Sequence, residues 1–197
     1  FPVRLKYIGE VKPAEMGNPA FDYDSLIKPV EPRMMRTIWR ILREKPAAED
    51  ALQDALAVIW KKRGTVARHP NPPALILRIT IASAVDSLRK TRRRLRHEVP
   101  GLPKDRRADD SADPAAGKAE ERRFRPAILQ AVGRLPKRQA EAVLLRIIEE
   151  LSYEEIARAM GCTEATARVH VMRGKAALAR RLARFRPDPA RQPGLKE

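Results

Sequence analysis

The chain has 197 residues, room for one medium domain or two small ones, and carries 41 Lys and Arg against 25 Asp and Glu, a formal net charge of +16. So large a basic excess points to a polyanionic partner, while the lone Cys162 excludes an internal disulfide and fits a reducing cytoplasm. His69, His97 and His170 lie far apart, so no metal-ligand spacing is present, and no apolar run approaches the roughly 18 residues of a membrane helix; no metal, cofactor or membrane insertion is expected.

Residues 1–20 are a tail with several prolines that does not read as a signal peptide; within it "RLKYIGEV" is compatible with an extended segment of no assigned role. Residues 21–97 hold 17 basic and 8 acidic groups, net +9. In this block "PRMMRTIWRILREK" predicts a helix opening at Pro32, with apolar residues recurring at Met35, Ile38, Trp39 and Leu42. "PAAEDALQDALAVIWKKRG" has Pro46 and early acids at one end, Lys61, Lys62 and Arg63 at the other, and Gly64 just beyond, which are matched start, dipole and stop signals. Leu52, Ala55, Leu56 and Ile59 make its inner face, and Asp50, Gln53 and Asp54 fall on the outer side. The prolines of "GTVARHPNPP" predict a loop over Gly64–Pro73. The helix that follows, "ALILRITIASAVDSLRKTRRRLR", is apolar nearly all round in its first half, as a central bundle helix is. Its second half becomes a rigid basic rod of Arg89, Lys90, Arg92, Arg93, Arg94 and Arg96, suited to a nucleic-acid backbone.

Residues 98–122 reverse the sign, with 5 basic and 7 acidic groups, net −2. They are rich in Pro, Gly, Asp and Ala and nearly devoid of large apolar residues, so the segment reads as a flexible linker. Residues 123–186 return to net +8, with 14 basic and 6 acidic groups, and 187–197 form a second proline-bearing tail. In the second block "FRPAILQAVGRL" and "KRQAEAVLLRIIEEL" meet at Pro136. "SYEEIARAM" follows, with Ser152 and Glu155 spaced as a capping box, then a turn at Gly161 and Cys162, then Thr163 capping a last helix. A short helix, a glycine turn and a second helix free on one face make a helix-turn-helix unit. At about 100° per residue Ala167, Val171, Gly174 and Leu178 share the face that packs inward. Ala165, Val169, Met172 and Ala176 lie opposite, flanked by Arg168 and Arg173. In a major groove such arginines reach phosphates or guanines, and small apolar side chains meet thymine methyls. The same strip is also compatible with packing on another protein.

The whole pattern is all-α: two helical domains joined by a linker. "LPKRQAEAVLLRIIEELSYEEIARAMGCTEATARVHVMRGKAAL" resembles region four of bacterial sigma factors, and "AAEDALQDALAVIWKK" with "ILRITIASAVDSLRKTRRR" resembles region two. Both in this order, with nothing like region three between them, resemble the extracytoplasmic-function class over roughly residues 21–185. The resemblance implies a cytoplasmic bacterial protein without enzymatic activity that binds core RNA polymerase through its β′ and β subunits, reads promoter DNA and traps the melted strand. It implies that Asp50, Gln53 and Asp54 dock on β′. It assigns the duplex upstream (minus-35) element to the 123–186 domain, through Thr163, Glu164, Ala165, Arg168, Val169, Met172, Arg173 and Lys175. It assigns the unstacked downstream (minus-10) element to the 21–97 domain, through the Gly64–Pro73 loop and Arg78, Ala82, Ser83, Asp86, Arg89, Lys90, Arg92 and Arg93. Two positions depart from the family pattern, which often has Trp where Leu75 stands and Asn where Ala82 stands; without that Asn, an amide that pairs with a flipped base is missing. Many relatives are held by an anti-sigma protein, and in relatives the segment equivalent to the acidic linker threads towards the polymerase cleft. A different reading of the same residues is a helix-turn-helix regulator that binds duplex DNA without serving as a polymerase subunit; it leaves the 21–97 block without a task. No Ser/His/Asp grouping, paired catalytic carboxylates or phosphate-cradling glycine loop points to an enzyme.

Overall fold

The computed structural model describes residues 21–97 and 116–183, with side chains over 21–94 and 124–183. The N-terminal tail with "RLKYIGEV", residues 98–115 of the linker and the tail 187–197 lie outside the described residues. Every regular element among the described residues is an α-helix.

The first unit opens with α1 (Tyr23–Leu26), whose N-terminal amides donate to the Asp22 carboxylate, an N-cap. The Tyr23 hydroxyl donates to Glu31 at 2.8 Å and ties α1 to α2 (Glu31–Leu42). Pro32 occupies the first turn of α2, where its missing N–H costs nothing. The buried face of α2 is Met34, Thr37, Ile38 and Ile41, one residue out of register with the Met35, Ile38, Trp39, Leu42 stripe expected from sequence; Trp39 is 43 % exposed. Both stripes obey a helical period, and only the position of α3 and α5 selects between them. In α3 (Lys45–Lys61) Ala48, Ala51, Leu52, Ala55 and Ile59 are buried, leaving Asp50, Gln53 and Asp54 outside.

The expected Gly64–Pro73 loop is partly helical. A short helix, α4 (Arg63–Ala67), turns the chain so that Val66 is fully buried, and α5 (Pro72–His97) begins on the prolines themselves. Pro72 and Pro73 suit a first turn, so they start a helix here rather than forbid one. α5 is the axis of the molecule. Helices α2 and α3 pack on it from the first unit, and three helices of the second unit pack on it as well: α6 (Ala116–Gly133), α7 (Lys137–Ile147) and α8 (Tyr153–Met160). This explains why its first half is apolar nearly all round. One contiguous core runs from Ile27 through Ile76 and Ile81 to Leu145, Ile156 and Val171.

The N-terminal part of α6 corrects the linker boundary: residues 116–122, expected to be linker, are helical. "AGKAEERR" lacks large apolar side chains, but apart from Gly117 it is made of Ala, Glu, Lys and Arg, all strong helix formers, and it extends a segment already anchored by Ala131, Val132 and Leu135. The last helix, α9 (Glu164–Leu182), packs on α6, α7 and α8.

Candidate nucleic-acid interface

The turn between α8 and α9 is built by local chemistry. The Ser152 hydroxyl accepts from the Glu155 amide at 3.1 Å while the Glu155 carboxylate accepts from the Ser152 amide at 2.8 Å, so two orphan donors of α8 are satisfied at once. Gly161 closes α8 at φ 61°, a left-handed conformation that glycine adopts without a Cβ penalty. The Thr163 hydroxyl accepts from the Thr166 amide and starts α9. The inner face of α9 is Ala167, Val171, Gly174 and Ala177, with Leu178 half-buried. A Cβ on Gly174 would overlap a methyl of Val143 and lie 3.1 Å from the Gln139 carbonyl, so this glycine sets how closely α9 approaches α7.

The outer face of α9 is open. Glu164, Ala165, Arg168, Met172, Arg173 and Lys175 are exposed, Val169 is half-buried, and Met172 reaches 64 % exposure. Arg168 does not hang free: its Nε and one terminal nitrogen donate to the Glu164 carboxylate at 3.2 and 2.6 Å. The carboxylate beside it raises the guanidinium's affinity for its proton above its ordinary value. The same guanidinium lies 4.9 Å over the ring of Tyr153.

The residues expected to face the downstream element sit differently. Arg78 donates through Nε to Glu141 at 2.9 Å and through a terminal nitrogen to the Ala159 carbonyl at 2.9 Å. Arg89 donates to the Leu135 carbonyl at 2.8 Å and to Asp86 at 3.2 Å, and Lys137 stands 3.6 Å from Asp86. Ala82, Ser83 and Arg92 are half-buried, and Arg93 is exposed. Three of the expected contacts are therefore engaged by the second unit in this arrangement. Lys90 instead pairs with Asp54 of α3 at 3.3 Å, linking an expected DNA contact to an expected polymerase contact.

The expected Gly64–Pro73 loop gains two neighbours the sequence reading did not join to it, Lys61 and Lys62, and a polar seam between the units was not read at all. Lys61, Lys62 and Arg68 line an open hollow with Gly64, Thr65, His69 and Pro70. The lysines read in sequence as dipole-matching residues of a helix end, and only the α4 turn brings Arg68 beside them. A polar seam also joins the units: Arg33 donates to the buried Glu149 carboxylate at 2.6 Å, the Thr37 hydroxyl bonds the same carboxylate, and towards the surface Arg40 reaches the Ile148 carbonyl and His69 the Arg158 carbonyl. No spacing rule pairs residues 89 to 116 positions apart, so the sequence carried no signal for it.

Comparison with known proteins follows the same division. The family model for sigma-70 region 2 matches residues 26–94, and that for sigma-70 region 4 matches residues 125–178. The ECF RNA polymerase sigma factor SigM from two strains of Mycobacterium tuberculosis is 25 % identical over 173 residues, spanning 88 % of this chain and 83 % of the relative. A solved structure of the sigma factor RpoE in complex with the anti-sigma factor NepR, from Bartonella quintana, is 22 % identical, covers 84 % of this chain and 99 % of that one, and superposes with a TM-score of 0.47.

Proposed function

Given that the chain belongs to the sigma-70 family, we propose that it acts in the extracytoplasmic-function class as a partner of core RNA polymerase and promoter DNA, and that its surfaces divide that work. The outer face of α9 enters the major groove of the upstream element. Arg168 and Arg173 reach guanine edges or phosphates, Lys175 reaches phosphate, and Ala165, Val169 and Met172 meet thymine methyls. Glu164 and Thr163 fix the start of the helix at the DNA. The downstream strand runs along α5 and the basic hollow beside α4, held by Arg78, Arg89, Lys90, Arg92, Arg93, Lys61, Lys62 and Arg68. Ser83 and Asp86 lie at the edge of this track, and Ala82 supplies no amide to a flipped base. The exposed acidic face of α3, Asp50, Gln53 and Asp54, docks on the β′ subunit, and the second unit meets β.

The work is done by binding energy rather than by covalent catalysis, in the cytoplasm of a bacterium. The observation that supports this reading best is the pairing of two different sigma units in one chain, each with an exposed face of the chemistry its partner requires. A stand-alone helix-turn-helix regulator uses only the second. Asp54→Arg tests the division. The position is exposed, so the fold is kept, but the change puts a cation beside Lys90 on the docking face. Affinity for core polymerase should fall at least tenfold while duplex binding by the second unit stays the same. Unchanged affinity for core polymerase removes α3 from the docking surface.

A further inference from the structure

Among the exposed basic side chains of α9, Arg168 is distinguished by having its position specified from two sides. The Glu164 carboxylate oxygen bridges its Nε and one terminal nitrogen, at 3.2 and 2.6 Å. The face of the guanidinium rests over Tyr153, the first residue of α8, 4.9 Å from the ring centroid. Tyr153 is held in turn. The Ser152–Glu155 capping box fixes the start of its helix. Arg146 of α7 also lies over the ring, 5.2 Å from the centroid, and is anchored by donating to the Leu151 carbonyl at 2.9 Å.

Arginine has five N–H donors in a planar fork. With Nε–H and one terminal N–H committed to Glu164, three remain, and two of them form the outer edge. That outer edge is the one that pairs with O6 and N7 of guanine. A free arginine loses much of its rotamer entropy when it is immobilised on a base; one already held on a ring and a carboxylate loses less. Exposed cation–π contacts of this kind change an equilibrium by roughly two- to fivefold.

We propose that Tyr153 is a positioning residue for base reading: it holds Arg168 flat so that the outer edge of the guanidinium presents to one guanine of the upstream element, although Tyr153 itself contributes no hydrogen bond to that base. This rests on the assignment of Arg168 to the groove. The preference at one base pair is then set jointly by α9 and by the first residue of α8.

The test uses the full chain assembled with core polymerase and a library of duplexes randomised over the upstream element, comparing the wild type with Arg168→Ala, Tyr153→Leu and Tyr153→Phe. The wild type should prefer guanine at one position, and Arg168→Ala should abolish that preference. Tyr153→Leu should weaken it about threefold at that position alone, and Tyr153→Phe, which keeps the ring, should restore it. If Arg168→Ala leaves every position unchanged, the groove assignment fails and the inference goes with it. If Arg168→Ala flattens one position but Tyr153→Leu either spares it or lowers all sequences equally, the positioning role is overturned while the assignment stands. Should Tyr153→Leu fail to fold, Glu164→Gln replaces it. Removing the charge of the second clamp should also soften the same position, and a preference left intact counts against preorganisation.

Discussion

Glu141 is only 1 % exposed, and burying a carboxylate is costly unless it is paired; Arg78 pairs with it at 2.9 Å. Breaking a buried pair by deleting one partner costs about 3–5 kcal/mol, but the Arg78 side chain is 26 % exposed and its share is reduced by solvent. Arg78→Ala should therefore lower the unfolding free energy of the full chain by about 2 kcal/mol in urea titrations. Glu141→Gln, which leaves only the part-exposed Arg78 guanidinium without its carboxylate, should cost less than Arg78→Ala, which leaves the enclosed carboxylate unanswered. A larger loss for the glutamine variant would mean that the pair is not what stabilises this position. Tyr23 gives a pH prediction. Burial first, and then the hydrogen bond to Glu31, push its hydroxyl up to about 12 from 10.0. The neutral phenol is the favoured folded form. Its contribution to stability is thus complete below pH 10 and disappears as the pH rises from 10 towards 12. Absorbance at the phenolate band should show Tyr23 ionising well after a free tyrosine, with the late step absent in Tyr23→Phe. A titration of Tyr23 at the ordinary value would contradict the bond to Glu31.

At the scale of the element, α9 depends on α7 through Gly174. Alanine gains roughly 1 kcal/mol of helix propensity over glycine, yet the added methyl overlaps Val143, which is fully buried and has nowhere to move. Overpacking costs about 1–3 kcal/mol and wins, so Gly174→Ala should lower the melting temperature by several degrees and weaken upstream-element binding through a displaced α9. A raised melting temperature would show that the two helices part at no cost. What the sequence made legible here was local. The capping box of Ser152, the left-handed Gly161 and the inward set Ala167, Val171 and Gly174 follow from spacing and side-chain chemistry within a few residues, and the helices are where those signals put them. What it hid was relational. The α2 stripe at Met34, Ile38 and Ile41 competes with an equally periodic one at Met35 and Trp39, and only packing on α5 decides. The start of α6 at Ala116 follows from helix propensity rather than from apolar content, which marked the segment as linker. Of the proposed binding surface, the exposure of the outer face of α9 was readable, because it follows from the helical period alone. The engagement of Arg78 and Arg89 was not, because their partners Glu141 and the Leu135 carbonyl belong to a unit far along the chain.

For the molecule as a whole, two units of net charge +9 and +8 lie against each other, which bare electrostatics opposes. They are joined by the shared apolar core along α5 and by the Glu141 and Glu149 carboxylates, each answered from the first unit. Arg78 and Arg89 are held in that seam by Glu141 and by the Ala159 and Leu135 carbonyls, so the proposed downstream track requires phosphates to replace these partners and the units to part. Glu141→Gln combined with Glu149→Gln should loosen the seam and raise the radius of gyration of the free chain in small-angle scattering. An unchanged scattering curve would mean that the apolar core alone keeps the units together. The central claim, that one chain carries both polymerase docking and promoter reading, is tested most directly by transcription with purified core polymerase on genomic DNA, mapping RNA 5′ ends with and without the protein. Defined start sites sharing one upstream and one downstream element should emerge only when the protein is present, be lost with Arg168→Ala and be reduced with Asp54→Arg. The same start sites with and without the protein, or sequence-specific duplex binding with no new transcripts, would contradict the account.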